Sequence, residues 1–192
     1  FITNHPTGKM GRAIAENCML RGAHVTLVNA SVSVEPPMFV DVVNVTSAAD
    51  MAEVVKSKAS EQDIIIMTAA VADFCPAHPA DEKIKKKDSL DEPVIELERT
   101  EDILSYLGAH KAKGQLICGF SMETQNMLEN SKAKLAKKNA DMIVANNLKV
   151  AGAGFGTDTN VVTLITADDC TELEIMDKSC VAARIMDRLL QM

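Results

Sequence analysis

Short apolar runs alternate with helical patterns along this chain, and that alternation limits the folds it can adopt. The clearest apolar runs are "DIIIM", "QLICGF" and "DMIVA". Strands that alternate with helices build a parallel sheet covered by helices on both faces. Two further runs, "VVTLIT" and "TELEIM", are separated only by a turn, which indicates a C-terminal antiparallel hairpin. The sequence therefore predicts an α/β fold, Rossmann-like and doubly wound, with a mostly parallel sheet.

Three of the predicted elements have clear local signals. Ser47 and Asp50 form a capping-box pattern at one helix start, and Thr100 stands as the cap of a later helix. The continuous apolar run "DIIIM" is typical of a central parallel strand that is buried on both faces.

The pattern predicts a single domain over residues 1–192, because one core accommodates a chain of this length. One long excursion interrupts it, "PAHPADEKIKKKDSLDEP" at residues 76–93, and its length, polarity and prolines predict a flexible flap. The chain opens directly on a loop and a helical pattern, "FITNHPTGKMGRAIA". We therefore expect the first strand of the sheet to precede Phe1.

Composition argues against several classes of function. The formal net charge is −7 and aromatic residues are 3% of the chain, which argues against nucleic acid as a partner. No apolar run is long enough to span a bilayer, so no membrane association is expected. The five cysteines form no C-x-x-C pair and the four histidines no metal-ligand spacing. Reduced thiols in a cytoplasmic protein are therefore expected rather than zinc or disulfides.

Polar loops rich in small residues follow several of the predicted strands. These are "TAAVADF", "GFSMET" and "NNLKVAGAGFGTDTN". In an open α/β sheet, ligands bind at the carboxyl ends of the strands, where such loops meet. The N-terminal loop "TNHPTGKMG" lies at the same edge if a strand precedes it. This convergence predicts a nucleotide or another phosphorylated ligand.

The loop "TNHPTGKMG" lacks the signatures of the two common phosphate-binding loops. Met10 follows Lys9 where a Walker A motif needs Ser or Thr, and the two glycines of the loop do not make G-x-G-x-x-G. Gly8 still permits close backbone approach, and the following helix offers free N–H groups to a phosphate. A plain strand-to-helix turn capped by Asn4 or Thr7 explains the same residues equally well.

Two further stretches carry candidate ligand-binding groups. The run "EKIKKK" places Lys83 and Lys86 on the flap, where they either face solvent or close over a triphosphate and stabilise the leaving pyrophosphate. Asp73 in "AAVADF" either caps a turn or binds ribose hydroxyls or a metal ion. The run "AGAGFG" is followed by a strand rather than a helix, so it predicts a mobile loop instead of a dinucleotide site.

Six stretches in order resemble the phosphopantothenate–cysteine ligase family: "ITNHPTGKMG", "AAVADF", "EKIKKK", "GFSMET", "ADMIVANN" and "GFGTDTN". The resemblance covers essentially the whole chain. In many bacteria this ligase domain is fused behind a flavin-dependent decarboxylase in a bifunctional coenzyme A biosynthesis protein. The resemblance implies that the carboxylate of 4′-phosphopantothenate attacks the α-phosphorus of CTP, with Mg²⁺ present, and that pyrophosphate leaves. The amine of L-cysteine then attacks the acyl-cytidylate and CMP leaves. A homodimer is also implied.

The resemblance further implies roles for individual residues. Asn4 binds the substrate and polarises the acyl oxygen of the acyl-cytidylate. Lys83 is needed to form that intermediate, and Lys86 is a second cation in the same run. Asn146 in "IVAN" lines the substrate cleft. Gly8 matches the loop near the phosphates, and the stretch around the cytidine is matched by Ala69, Ala70, Asp73 and Phe74.

One departure from the family pattern bears on activity. The family commonly has Ser-Ser where Pro6 and Thr7 stand, so one phosphate contact is lost or moved. A non-catalytic nucleotide-binding module therefore stays open. A nicotinamide-dependent oxidoreductase on the same fold is a separate alternative. The oxidoreductase needs a G-x-G-x-x-G loop with an acidic residue about 20 positions later, and neither is seen.

Overall fold

The computed structural model describes residues 7–30, 32–80, 82, 94–123, 126–147 and 157–192. Within them the helices are α1 (Lys9–Leu20), α2 (Ala48–Lys58), α3 (Ile103–Ala109), α4 (Met127–Lys137) and α5 (Lys178–Leu189), with one 3-10 turn at Ala59–Glu61. The strands are β1 (Thr26–Asn29), β2 (Asp41–Asn44), β3 (Ile64–Met67), β4 (Phe74–Pro76), β5 (Leu97–Arg99), β6 (Leu116–Glu123), β7 (Met142–Asn147), β8 (Thr159–Asn160), β9 (Val162–Ile165), β10 (Cys170–Glu172) and β11 (Met176–Asp177). None of the helices in this part of the chain has the length and apolar content needed to span a bilayer.

The main sheet of the described residues has five strands in the order β10-β9-β7-β6-β3. Strands β3, β6 and β7 run parallel, with Ile65 opposite Ile117 in one pair. Strands β9 and β10 are antiparallel, with Cys170 opposite Ile165, so the predicted C-terminal hairpin is confirmed. The α/β fold class is confirmed with it.

Helices cover both faces of this sheet because side chains alternate along its strands. On β7, Met142 and Val144 are fully buried in one layer with residues of α1 and α5. Ile143 between them is fully buried in the other layer, with residues of α2, α3 and α4. Each fully buried Ile or Leu of these layers contributes about 1.5–3 kcal/mol to folding.

Strand β3 lies at one end of the described sheet, whereas the sequence predicts it as a central strand buried on both faces. Its residues are only half-buried. Strands β1 and β2 form a separate parallel pair, with Val28 opposite Val43. A short apolar run cannot by itself separate a central strand from an end strand, because both place side chains under helices.

The helix cap predicted from the sequence is confirmed at α2 and is wrong at α3. The Ser47 hydroxyl accepts the N–H of Asp50 at 3.1 Å, and the Asp50 carboxylate accepts the N–H of Ser47 at 2.9 Å. The predicted capping box is therefore confirmed. At α3 the cap is Asp102, which accepts the N–H of Ser105 at 2.9 Å, so the prediction of Thr100 as cap is wrong.

A two-stranded antiparallel ribbon, β4 with β5, follows the "AAVADF" stretch, and Cys75 lies opposite Glu98 in it. We call residues 74–76 and 94–99 the β4–β5 ribbon. Several apolar side chains of this ribbon are exposed: Phe74, Val94, Ile95 and Leu97.

Candidate functional site

The loop before α1 turns at Gly8. This residue has φ of 79°, a left-handed conformation that favours glycine, and its carbonyl accepts the N–H of Arg12 at 2.9 Å. A Cβ at this position would lie 2.7 to 3.0 Å from three side-chain atoms of Val32. Glycine is therefore required both by the turn and by the close approach of Val32.

The start of α1 lies against the carboxyl end of β3. A Cβ placed on Gly11 would be 2.9 Å from the hydroxyl oxygen of Thr68, the residue that follows β3. Ala69, which is exposed, and Ala70, which is half-buried, come next in the chain. The predicted phosphate loop and the predicted cytidine stretch therefore meet at one edge of the sheet.

Thr100 holds the rest of the "AAVADF" stretch in place. Its hydroxyl donates to the carbonyl of Ala72 at 2.6 Å, and its N–H donates to the carbonyl of Asp73 at 3.0 Å. The side chain of Asp73 is left exposed. Phe74 is 41% exposed, and the guanidinium carbon of Arg99 lies 5.2 Å from the centre of its ring. A carboxylate and an aromatic ring thus stand at the surface a few positions after the two alanines.

Asn146 lies near the carboxyl end of β7, between β6 and β9. Its side-chain oxygen accepts a hydrogen bond from Nδ2 of Asn160 at 2.8 Å. Asn160 belongs to β8 and is 2% exposed, and its own Oδ1 accepts the N–H of Val161 at 3.0 Å. The carboxamide of Asn146 is therefore held by a buried neighbour at the carboxyl ends of the parallel strands. We call this edge of the sheet, where ligands are expected to bind, the ligand edge.

Residues 157–160, which we call the TDTN segment, tie three elements together at this edge. The carbonyl of its first residue accepts a hydrogen bond from Nζ of Lys178, at the start of α5. The carboxylate of Asp158 pairs with Nζ of Lys9, at the start of α1, at 2.7 Å. The last residue, Asn160, makes the contact to β7 described above.

A surface cavity of about 480 Å³ opens between the starts of α1 and α5. It is lined by three cations and four carboxylates: Lys9, Arg12, Lys178, Glu16, Glu35, Asp158 and Asp177. Burial, together with the nearby charge of Lys9, lowers the pKa of Lys178, and the hydrogen bond from Lys9 lowers the pKa of Asp158. An incoming phosphate would have to compete with Asp158 for Lys9.

The edge combines a glycine turn at a helix start, a small-residue stretch after a parallel strand, and an oriented amide on β7. The family model described as the DNA/pantothenate metabolism flavoprotein C-terminal domain matches residues 1–192, the whole of the sequence. The chain belongs to this family. The resemblance carried by the six stretches of sequence is thereby confirmed.

Relatives and solved structures agree with membership of this flavoprotein C-terminal domain family. The chain is 47% identical over 191 residues to the coenzyme A biosynthesis bifunctional protein CoaBC of Bacillus subtilis (strain 168), covering 98% of this chain and 46% of that protein. It is also similar to a crystal structure of the C-terminal domain of a CoaBC protein, with 41% identity, a TM-score of 0.80, and coverage of 95% of this chain and 81% of that chain. A Cab2 mutant in complex with phosphopantothenate-cysteine has a TM-score of 0.73 at 16% identity, covering 96% of this chain and 78% of that chain, which shows a shared fold. The chain spans about half the length of the curated relatives it matches.

The structure places four of the residues implied by the family resemblance where the parallel strands end: Gly8, Ala69, Ala70 and Asn146. Asp73 and Phe74 follow the two alanines and lead into the separate β4–β5 ribbon. Asn4, Lys83 and Lys86 lie outside the described residues, and so does the run "AGAGFG". The roles of these residues therefore stay predictions.

Two residues that orient groups at the ligand edge of the sheet could not be identified from a local sequence pattern. Thr100 resembles a helix cap, and Asn160 is only the last letter of "GFGTDTN". Their partners Ala72 and Asn146 lie 28 and 14 positions away, so no local pattern reports the contacts. The structural signal is the pairing of β7 with β9, which sets Asn146 opposite Val162. Asn160 stands only two positions before Val162, so this pairing brings it close to Asn146.

Asp73 is the residue that the sequence suggests as a magnesium ligand. Within the part of the chain that the structure describes, no three His, Cys, Asp or Glu side chains lie close enough together to hold a metal ion. Mg²⁺ at nucleotide sites is usually held by one or two carboxylates together with substrate phosphates and water. The single exposed carboxylate of Asp73 fits a site of that kind, and its role as a metal ligand stays a prediction.

Proposed function

We propose that this chain is a phosphopantothenate–cysteine ligase domain of coenzyme A biosynthesis. The carboxylate of 4′-phosphopantothenate attacks the α-phosphorus of CTP, pyrophosphate leaves, and an acyl-cytidylate forms. The amine of L-cysteine then attacks the acyl carbon and loses a proton, and the amide forms as CMP leaves. The observation that carries the proposal is the match of the whole chain to its family, with 47% identity to a protein named for coenzyme A biosynthesis.

The geometry of the edge supports a nucleotide in this place. The turn at Gly8 opens α1, whose positive dipole end favours a phosphate. Ala69 and Ala70 leave room for a flat base beside the backbone, and the exposed Asp73 can accept hydrogen bonds from ribose hydroxyls. Alternatively, Asp73 would hold the Mg²⁺ that accompanies CTP, and that ion would neutralise charge on the leaving pyrophosphate.

The chemistry itself is assigned to Asn4, Lys83, Lys86 and Asn146. The amide of Asn4 stands four residues before the turn at Gly8 and polarises the acyl oxygen of the intermediate. The two lysines stabilise the charge that develops on pyrophosphate. Asn146 contributes an amide donor that binds 4′-phosphopantothenate.

Assembly and location belong to the same proposal. The chain works as a homodimer, and the exposed apolar side chains of the β4–β5 ribbon form part of the contact between its subunits. A flavin-dependent decarboxylase is fused to this domain or associated with it, which is supported by relatives about twice as long as this chain. The protein acts in the cytoplasm, with no nucleic acid and no membrane as partner.

Two variants of the full-length gene product test the assigned chemistry. Lys83→Gln should block pyrophosphate release from CTP and 4′-phosphopantothenate, because the cation that stabilises the leaving charge is lost. Asn4→Asp should still release pyrophosphate but accumulate the acyl-cytidylate, because the second step loses its amide donor. A pyrophosphate assay, combined with chromatography of the intermediate, distinguishes the two outcomes.

Lys87→Gln is the matched control, since it removes one positive charge from the same lysine run without changing a residue assigned to the site. It should turn over cysteine at the wild-type rate. Wild-type rates in both test variants would mean that the roles are wrongly assigned. Binding of NADPH without binding of CTP, measured by titration calorimetry, would favour the oxidoreductase instead.

A further inference from the structure

Two carboxamides in contact lie at the ligand edge, and one of them is almost fully buried. Asn160 is 2% exposed and lies in β8, and Asn146 lies near the end of β7 and is half-buried. Nδ2 of Asn160 donates to Oδ1 of Asn146 at 2.8 Å. The backbone N–H of Val161 donates to Oδ1 of Asn160 at 3.0 Å. The two side chains thus form a short chain of hydrogen bonds that begins at a backbone group.

The direction of this chain is fixed by the group at which it begins. A backbone N–H only donates, so the oxygen of the Asn160 carboxamide must face Val161. The NH₂ group of Asn160 must then face Asn146, and an NH₂ group also only donates. Asn146 therefore has to present its oxygen to Asn160. Neither carboxamide can be reversed without leaving two donors or two acceptors opposed.

This arrangement leaves the NH₂ group of Asn146 for a ligand. Within the described residues, Nδ2 of Asn146 donates no hydrogen bond to the protein, and no buried side-chain nitrogen or oxygen lacks a partner. The donor therefore faces space outside the packed interior, at the carboxyl end of β7. Ligands that bind at such edges of parallel sheets do so through groups at the strand ends.

We propose that Asn160 is a positioning residue for substrate recognition: it locks the carboxamide of Asn146 so that its NH₂ group meets an acceptor oxygen of 4′-phosphopantothenate. This inference rests on the proposed function, in which Asn146 binds that substrate. Asn160 touches no substrate itself. Its contribution is selective, because it sets the orientation of one donor and leaves the groups around the nucleotide unchanged.

Asn160→Asp in the full-length gene product is the sharpest test. The aspartate can still accept the N–H of Val161, but it cannot donate to Asn146. Asn146 then turns its NH₂ group toward the carboxylate and its oxygen toward the ligand. The KM for 4′-phosphopantothenate should rise about tenfold or more, which is the effect of losing one well-placed hydrogen bond. The KM for CTP should stay at the wild-type value.

Two further variants separate positioning from a general loss of structure. In an Asn146→Ala background, Asn160→Asp should have no additional effect on KM, because the group that it orients is gone. Asn139→Asp is the matched control: its amide donates to the carbonyl of Gly108 at 2.8 Å, at the contact of α3 with α4. It should lower the melting temperature without a selective change in either KM.

The orientation can also be measured without any variant. Side-chain amide NMR of the wild-type protein should show slow hydrogen exchange for the NH₂ group of Asn160, and addition of 4′-phosphopantothenate should shift the NH₂ resonances of Asn146. Rapid exchange at Asn160, an equal rise of both KM values, or effects that add in the double variant would overturn the proposal. If the wild-type protein releases no pyrophosphate from these substrates, the proposed function fails first, and this proposal fails with it. An active wild type with an unaffected Asn160→Asp variant overturns the positioning role alone.

Discussion

A side chain at position 8 would be unfavourable for two separate reasons, and each would lower the free energy of unfolding by a measurable amount. A left-handed backbone costs an L-residue about 1–2 kcal/mol. A methyl group at this position would also lie 2.7 Å from the Cβ of Val32. Gly8→Ala should therefore lower the free energy of unfolding by more than about 2 kcal/mol, and CTP should bind more weakly because the turn before α1 is displaced. Urea unfolding and calorimetry measure the two effects.

Gly22→Ala separates the cost of the left-handed backbone from the cost of crowding. Gly22 has φ of 87°, and a Cβ there would meet no atom within 4 Å, so this variant carries only the backbone cost. The loss of stability at Gly22 should be smaller than that at Gly8, with CTP binding unchanged. Equal losses would mean that Val32 moves aside freely and that crowding at Gly8 is unimportant.

Individual residues could be predicted from the sequence where their partners are local. The capping box of Ser47 and Asp50 needs only residues three positions apart. Thr100 has the same kind of local pattern, but its hydroxyl bonds to a carbonyl 28 positions away, and the local pattern misled. Asn4 and Lys83 were predicted from the family resemblance, because the spacing of the N-terminal loop and the charge of the flap each allow a plain structural role as well.

At the scale of secondary structure, the capping box makes α2 sensitive to acid. Hydrogen bonds from Thr46, followed by those from Ser47, lower the pKa of Asp50 from 3.8 to about 2. A carboxylate whose pKa is lower in the folded protein stabilises it fully above the unfolded pKa, and that stabilisation is lost as the pH falls through the folded value. Asp50→Asn should therefore lower stability at neutral pH and lose less stability than the wild type between about pH 4 and pH 2.

Urea unfolding at a series of pH values measures this difference. Glu53→Gln is the control, because Glu53 is an exposed carboxylate in the same helix but does not belong to the capping box. Its stability should follow the wild-type pH profile. A profile for Asp50→Asn that runs parallel to that of the wild type would exclude the capping box as the source of the acid sensitivity.

The sequence predicts which elements form better than it predicts which elements are neighbours. Apolar runs and helix periodicity depend on residues close together, and the elements they indicate are present in the described residues. Strand order depends on contacts between distant segments. β3 has the continuous apolar run of a central strand, yet it ends the described sheet, while β1 and β2 pair with each other.

At the scale of the whole molecule, the β4–β5 ribbon is the surface that we propose for the contact between two copies. Ile95 is 65% exposed among other apolar side chains of the ribbon. Ile95→Lys should convert the proposed dimer to a monomer in sedimentation velocity, because a lysine there would be buried without a partner. Ligase turnover should fall with it, since the family resemblance implies that both subunits contribute to each site.

Leu20→Lys provides the comparison for that experiment. Leu20 is 74% exposed at the end of α1 and lies outside the ribbon. This variant should sediment as the wild type does. An intact dimer after Ile95→Lys would move the interface to another surface.

The TDTN segment also limits how the length of this chain can change in evolution. Within four positions it contacts the starts of α1 and α5 and the end of β7. One residue inserted or deleted inside it would shift Asp158 against Asn160, and either the ion pair to Lys9 or the amide contact would break. An insertion in the exposed turn at residues 167–168 would disturb neither. A relative in which this segment has the same length is therefore expected to keep the same contacts at the ligand edge.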